Sequence, residues 1–203
     1  MATKLIVDTA SVLQRMSLPT DVSSVSDAID SALASAHVFF EGRLGTQITA
    51  LQALTDYFFV DSKLIGFAPN GLYRLRLRQA FVKTGTVSLT TSYTRKGIHA
   101  VGADPVLAED FEVDLVKGLV YLDESLADRY VAVTYSAGFD SANKPPEWLV
   151  EAMYAYIPSV LNLSQPTNRD DESLKVAIQV QNLAGSMVDA YKRETSLQLS
   201  PLY

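Results

Sequence analysis

The stretch VAVTYSAG, residues 131–138, places a Ser beside a Gly where a β-type run ends. A nucleophilic hydroxyl can be presented from such a place. A nucleophile elbow needs Gly on both sides of the Ser, in G-x-S-x-G, so that a strained turn can form. The positions flanking Ser136 are Thr134 and Gly138, so half of that pattern is absent. The sequence holds two His. His37 falls at helical spacing between Leu33 and Phe40 and reads as packing or surface filling, with an interface or pH role as the alternative. His99, in KGIH, reads as an exposed loop residue. Ser136 and His99 are thus the only hydrolase candidates, and nothing in their spacing pairs them.

Other chemistries find no seat. Asp104, Glu109, Asp110, Glu112 and Asp114 are acidic and close in sequence, but they lack the Gly and terminal Glu of a calcium loop and read as a solvated strand edge. There is no G-x-G-x-x-G and no G-x-x-x-x-G-K-[ST], so no nucleotide site is signalled. With no Cys there is no disulfide scaffold, thiolate metal site or Cys nucleophile. The expectation is a protein without cofactor, metal site or enzymatic activity. The one basic cluster is Arg74, Arg76 and Arg78 in YRLRLRQ. Strand alternation sends these three to one face and Tyr73, Leu75 and Leu77 to the other. That face is solvated, or it contacts phosphates or an acidic partner, which guanidinium forks bind well.

The elements that would position these residues fall into three zones. Val22, Val25, Ile29, Leu33, Ala36, Phe40 and Leu44 recur at threes and fours, which predicts an amphipathic helix over 21–45 with Gly45 as its left-handed stop. A shorter helix over 8–16 precedes it, capped by Asp8 or Thr9 and ended by Leu18-Pro19. From about Leu54 to Ala137 the period becomes two. Runs at 56–60, 72–82, 86–93, 111–115, 119–122 and 130–135 are separated by turn chemistry such as Pro69-Asn70-Gly71 and Lys117-Gly118. Helices return at about 146–161 and 170–191. The fold class is α+β: a bundle of about four helices (1–53 and 138–193), an inserted and mostly antiparallel β module (54–137), and a C-terminal arm (194–203).

Composition agrees with a core-forming globular chain: 203 residues, 48% of them hydrophobic. No stretch is long and apolar enough to span a bilayer. The N-terminus, MATKLIVD, has too little apolar sequence for a signal peptide. A formal net charge of -6 argues against a general phosphate binder.

The joint VTYSAGFDSANKPPEWLVEAMYAYI resembles the strand, Tyr-x-Ala-Gly, polar loop, Pro and helix connection of the head-to-tail connector (adaptor) proteins of tailed bacteriophages. AIDSALASAHVFFEGRLGTQI is similar to an earlier helix of that family, with its small-residue middle and a Gly-Arg near its end, here Gly42-Arg43. FEVDLVKGLVYLDESLADRYVAV resembles the β segment found before the joint in larger adaptors. Pro158 departs from the pattern and predicts a kink or early end in the third helix. On this reading Gly138 turns the chain out of the sheet and Pro145-Pro146 stiffen the loop and start the helix, whose Trp148, Leu149, Ala152, Met153 and Tyr156 face the core.

The resemblance implies a structural virion protein of the neck: a ring, twelve copies by family likeness, beneath the portal and joined to the next tail component, with DNA passing through unbound. Assembly would take place in the host cytoplasm. The last helix has two apolar stripes, Leu174, Ala177, Ile178, Gln181, Ala184, Val188 and Tyr191 on one, Val176, Val180, Leu183 and Met187 on the other. A helix apolar nearly all round needs two partners, and a neighbouring subunit would be the second. The tail ETSLQLSPLY alternates Leu197 and Leu199 with polar residues and is barred from helix by Pro201. It reads as a frayed terminus or as a strand-like arm, which by resemblance would order on the portal with Leu197, Leu199, Leu202 and Tyr203 in pockets. The alternative function is a carbohydrate- or nucleic-acid-binding β module, with Arg74, Arg76, Arg78, Tyr57 and Tyr73 as contacts.

Overall fold

The computed structural model describes residues 6–18, 23–62, 73–100, 103–140, 143–164 and 171–189. The chain divides into two compact units, 1–49 with 139–192 and 50–138 with 193–203. Its class is α+β, with the strands antiparallel in both sheets.

The first unit is helical. Helix α1 (Thr9–Arg15) starts because the Asp8 carboxylate accepts the Ser11 amide at 2.7 Å, satisfying one of the open donors of the first turn. Helix α2 (Ser23–Leu44) buries Ile29, Leu33, Ala36, His37, Phe40 and Leu44, and Gly45 at φ +67° ends it. A side chain in that left-handed conformation would be strained. Helix α4 (Glu147–Ser164) inserts Leu149, Ala152, Met153, Tyr156 and Ile157, while Trp148 is half-buried. The rings of Phe39 and Tyr156 stack at 4.5 Å, with Phe40 edge-on to both. Helix α5 (Asp171–Asp189) buries Ala177, Ala184 and Val188. Pro158 does not end α4 early. The helix runs on to Ser164, because Pro158 removes a single ladder bond while Ile157 and Ser159 on either side are buried and the Ser159 hydroxyl donates to the Tyr156 carbonyl at 2.6 Å.

Two ion pairs tie these helices. Arg15 forks onto Glu151 at 2.6 and 2.9 Å and lies over the Tyr154 ring, and each partner's charged form is favoured by the other's hydrogen bond. Arg43 forks onto Asp189, both bonds at 2.8 Å. It lies where a Cβ on Gly185 would be, 2.8 Å from the guanidinium carbon, so Gly185 makes room for this clamp.

His37 sits in the core of this unit. The Ile6 amide donates to its Nε2 at 3.4 Å, its Nδ1 is buried without a hydrogen-bond partner, and burial lowers its pKa against the opposing pull of Glu41. The unfolded chain takes up this proton near pH ~6.5 while the native chain resists it. Stability therefore falls as pH drops below that value. In thermal melts, the drop in Tm from pH 7 to pH 5 should be smaller for His37→Gln than for the wild type. Equal drops would show that His37 does not carry this dependence.

The second unit holds two antiparallel sheets around one core. Strands β1 (Leu51–Val60), β3 (Ser88–Ser92), β4 (Asp104–Pro105) and β7 (Arg129–Ala137) form one sheet in the order β1-β7-β3-β4. Strands β2 (Tyr73–Arg76), β5 (Phe111–Asp114) and β6 (Leu119–Leu122) form the other, in the order β2-β6-β5. Phe58, Val60, Leu89, Val131 and Val133 from the first sheet meet Tyr73, Leu75, Val120 and Leu122 from the second. Helix α3 (Arg95–Ile98), one turn capped by the Thr94 hydroxyl, was not expected from the sequence. The run 72–82 is shorter as a strand than its pattern suggests, ending at Arg76. The expected turn at Pro69-Asn70-Gly71 lies outside the described residues.

Candidate functional site

The candidate surfaces build from two places: the Arg-bearing strand of the β unit and the flank of α5 in the helical unit. Around β2 the alternation is as its residue types dictate. Tyr73, Leu75 and Leu77 are buried, Arg74 and Arg76 are half-buried, and Arg78 is exposed. Arg78 is nevertheless engaged within the fold. Its amide donates to Asp56 Oδ2 at 2.7 Å, its Nε donates to Asp56 Oδ1, and its Nη2 donates to the Thr55 carbonyl at 2.9 Å. Asp56 is only 1% exposed. It also accepts the Tyr135 hydroxyl at 2.8 Å, and that hydroxyl accepts the Gln79 amide at 3.2 Å. Burial, with the Asp56 carboxylate beside it, pushes the Tyr135 hydroxyl far above its ordinary pKa. A buried charge with this many donors is satisfied, so the cluster is a clamp between β1, β7 and the segment after β2. It is not a set of three free guanidiniums.

Tyr73, a contact residue in the alternative reading, belongs to the core at 2% exposure, where desolvation raises its pKa. Tyr57 is half-buried and its ring packs on His99 at 4.3 Å. Ser136 and His99 are not brought together. Tyr57 faces Ala132 across the β1–β7 ladder, four positions along β7 from Ser136, or roughly 13 Å at the rise of a strand. The Ser136 backbone is occupied by Thr86 and Lys83. Asp104, Glu109, Asp110 and Glu112 are exposed, Asp114 caps the Lys117 amide at 2.9 Å, and among the described residues no group of His, Asp and Glu could hold a metal ion. No helix among them is long and apolar enough to cross a membrane.

The joint after β7 is as its residues suggest. Gly138 takes φ +80° and donates to the Phe81 carbonyl, and Phe139 then donates to the Ile48 carbonyl at 2.9 Å. Pro146 sits just before α4 and its carbonyl accepts the Leu149 amide at 3.0 Å.

On α5 the two stripes part company. In the first, Ala177, Ala184 and Val188 are buried but Ile178 is 46% exposed and Gln181 half-buried; in the second, Val176 is 53% and Leu183 61% exposed, with Val180 and Met187 half-buried. At about 100° per residue this second row sits a quarter turn from the buried stripe, on the side away from Gly185 and its Arg43 clamp. Leu174 has no described side chain, and Tyr191 and the arm residues Leu197, Leu199, Leu202 and Tyr203 lie outside the described residues.

No protein-family profile matches the sequence, and no curated protein matches it. Among solved structures, the chain is similar to one in "Neck of empty GTA particle computed with C6 symmetry", with a TM-score of 0.52 and 17% identity over 97% of this chain and 95% of that one. It is likewise similar to a chain in "Virion of native gene transfer agent (GTA) particle", with a TM-score of 0.51 and 16% identity over 95% of this chain and 92% of that one. Helical unit and β unit together, the chain shares its fold with a subunit found in the neck of a gene transfer agent particle.

Proposed function

We propose that this chain is a structural protein of the neck of a tailed-phage-like virion, a head-to-tail adaptor. Copies of it close into a ring beneath the portal, with twelve expected from the family resemblance, and hold the next tail component. The observation that carries the reading is a fold likeness that spans nearly the whole of both chains and includes the inserted β unit. Two features of the molecule support it. The joint at Ser136 is scaffold, built from backbone hydrogen bonds and a left-handed Gly138, and α5 carries an apolar row that its own unit leaves open. In this role the protein is not an enzyme and uses no cofactor. It resides in the virion neck after assembly in the host cytoplasm.

Genomic DNA passes through the ring without specific binding. A formal net charge of -6 per copy, repeated around a ring, repels the duplex where carboxylates face the lumen. The carbohydrate- or nucleic-acid-binding alternative gains no support, since Arg78 is committed to Asp56 and Tyr73 to the core. The β unit, whose two ends both return to the helical unit, is placed at the periphery of the ring.

The portal contact is assigned to the C-terminal arm, with Leu197, Leu199, Leu202 and Tyr203 as its side-chain anchors and main-chain pairing as its source of affinity. Co-expressed with the portal protein of its own particle, the full chain should co-purify with it. Truncation after Arg193 should leave Tm nearly unchanged and weaken retention at least ten-fold. Equal retention of both chains would remove the arm from the contact, and no retention of either would overturn the adaptor reading.

A further inference from the structure

The open row on α5 has a counterpart on the same chain. Val176, Val180, Leu183 and Met187 are spaced four, three and four apart. On α2, Ser31, Ser35, Val38 and Gly42 repeat that spacing on the face opposite its buried stripe, and all four are exposed, Val38 at 72%. Each row covers about 16 Å of helix. One, the ridge, is a row of Val, Val, Leu and Met; the other, the trough, is Ser, Ser and Gly with Val38 as its one large apolar side chain.

Two details show that the trough suits burial. The Ser31 and Ser35 hydroxyls are turned back onto the carbonyls one turn earlier, Asp27 at 3.0 Å and Ser31 at 2.9 Å, so covering them leaves no hydroxyl without a partner. Gly42 lies within α2, where Gly destabilises relative to Ala, yet a Cβ there would meet nothing within 4 Å. Among the described residues no contact calls for a glycine at this position, and its missing side chain leaves the helix surface open to close approach from outside.

We infer that the α5 ridge of one copy seats in the α2 trough of the next, making the head-to-tail contact of the ring. This rests on the ring reading above and names the surfaces that build it. The two surfaces differ, so the contact is heterologous and propagates around a closed ring instead of stopping at a dimer. The Arg43–Asp189 pair brings the C-terminal ends of α2 and α5 together in one subunit. A spacing of four, three and four reads the same in both directions, and the seating proposed is the parallel one. Val176 then lies by Ser31, Val180 by Ser35, Leu183 by Val38, and the flexible Met187 over Gly42, where the helices approach most closely.

The absence of Cys makes the test clean. Chains carrying Val38→Cys and chains carrying Leu183→Cys, mixed under mild oxidation, should cross-link to each other at least ten-fold faster than either does to itself. The double variant should give a ladder of covalent multimers. Gly42→Leu, whose Cβ would meet nothing within 4 Å in its own subunit, should weaken self-association at least ten-fold by native mass spectrometry while Tm stays level or rises. Cross-linking only between like variants would overturn the head-to-tail arrangement. Normal multimers with no cross-link between the two positions and no effect of Gly42→Leu would overturn this pairing and leave the ring intact. Chains that remain monomeric, alone and with portal protein, would overturn both.

Discussion

Replacing Asp56 with Ala should cost about 2–4 kcal/mol of stability, since buried acceptors of this kind contribute about 1–3 kcal/mol per lost partner. One carboxylate receives the Arg78 amide, the Arg78 guanidinium and the Tyr135 hydroxyl, all within a side chain that water does not reach. Alanine removes all three acceptor contacts at once. The guanidinium itself is 40% exposed and is resolvated, so the ion pair adds little to the loss. Most of the effect comes from the buried Tyr135 hydroxyl and the Arg78 amide. Asp56→Asn keeps one carbonyl acceptor and should fall between wild type and Asp56→Ala. Urea titration followed by far-UV circular dichroism measures this, and a loss below about 0.5 kcal/mol for Asp56→Ala would show that the clamp is dispensable.

Gly118→Ala should destabilise by a similar amount for a different reason. Gly118 closes the β5–β6 hairpin at φ +64°, where an added Cβ would come within 2.2 Å of the Gln79 carbonyl oxygen and 3.0 Å of the Ala80 Cα. These are backbone atoms, so no side chain can swing aside. The left-handed conformation costs about 1–2 kcal/mol for a residue with a Cβ. Forcing the backbone apart adds about 1–3 kcal/mol. The turn is also pinned from both sides, with Leu77 donating to Gly118, Phe81 to Val116 and Val82 to Leu115. A shift there therefore disturbs the whole segment 77–82. Thermal denaturation of Gly118→Ala should show a Tm several degrees below wild type, and an unchanged Tm would contradict the close approach.

Where local chemistry determined local structure, the sequence was legible. The Asp8 cap, the α2 periodicity, the left-handed Gly45 and Gly138 and the hairpin at Gly118 all follow from single residues acting on their own neighbourhoods. Tertiary partners were less visible. The run 72–82 reads as one strand because its alternation continues, but Arg78 turns to Asp56 and the ladder stops at Arg76. The signal for that partnership was present: Asp56 shares the inward face of β1 with Phe58 and Val60, and a carboxylate among core residues needs a cation or several donors. Helix α3 is too short, at four residues, to show a period. The α5 row was legible as an excess of apolar residues. Its match to α2 was not, because a row of Ser and Gly around a single Val shows no apolar pattern and becomes informative only once a Cβ at Gly42 is seen to meet nothing within 4 Å.

The adaptor role is tested most directly by electron microscopy of the chain assembled with its portal protein. The account predicts a closed ring of this chain, coaxial with the portal, its helical units around the channel and its β units outside. Portal particles with the chain absent, attached as scattered monomers, or polymerised as an open filament would contradict it.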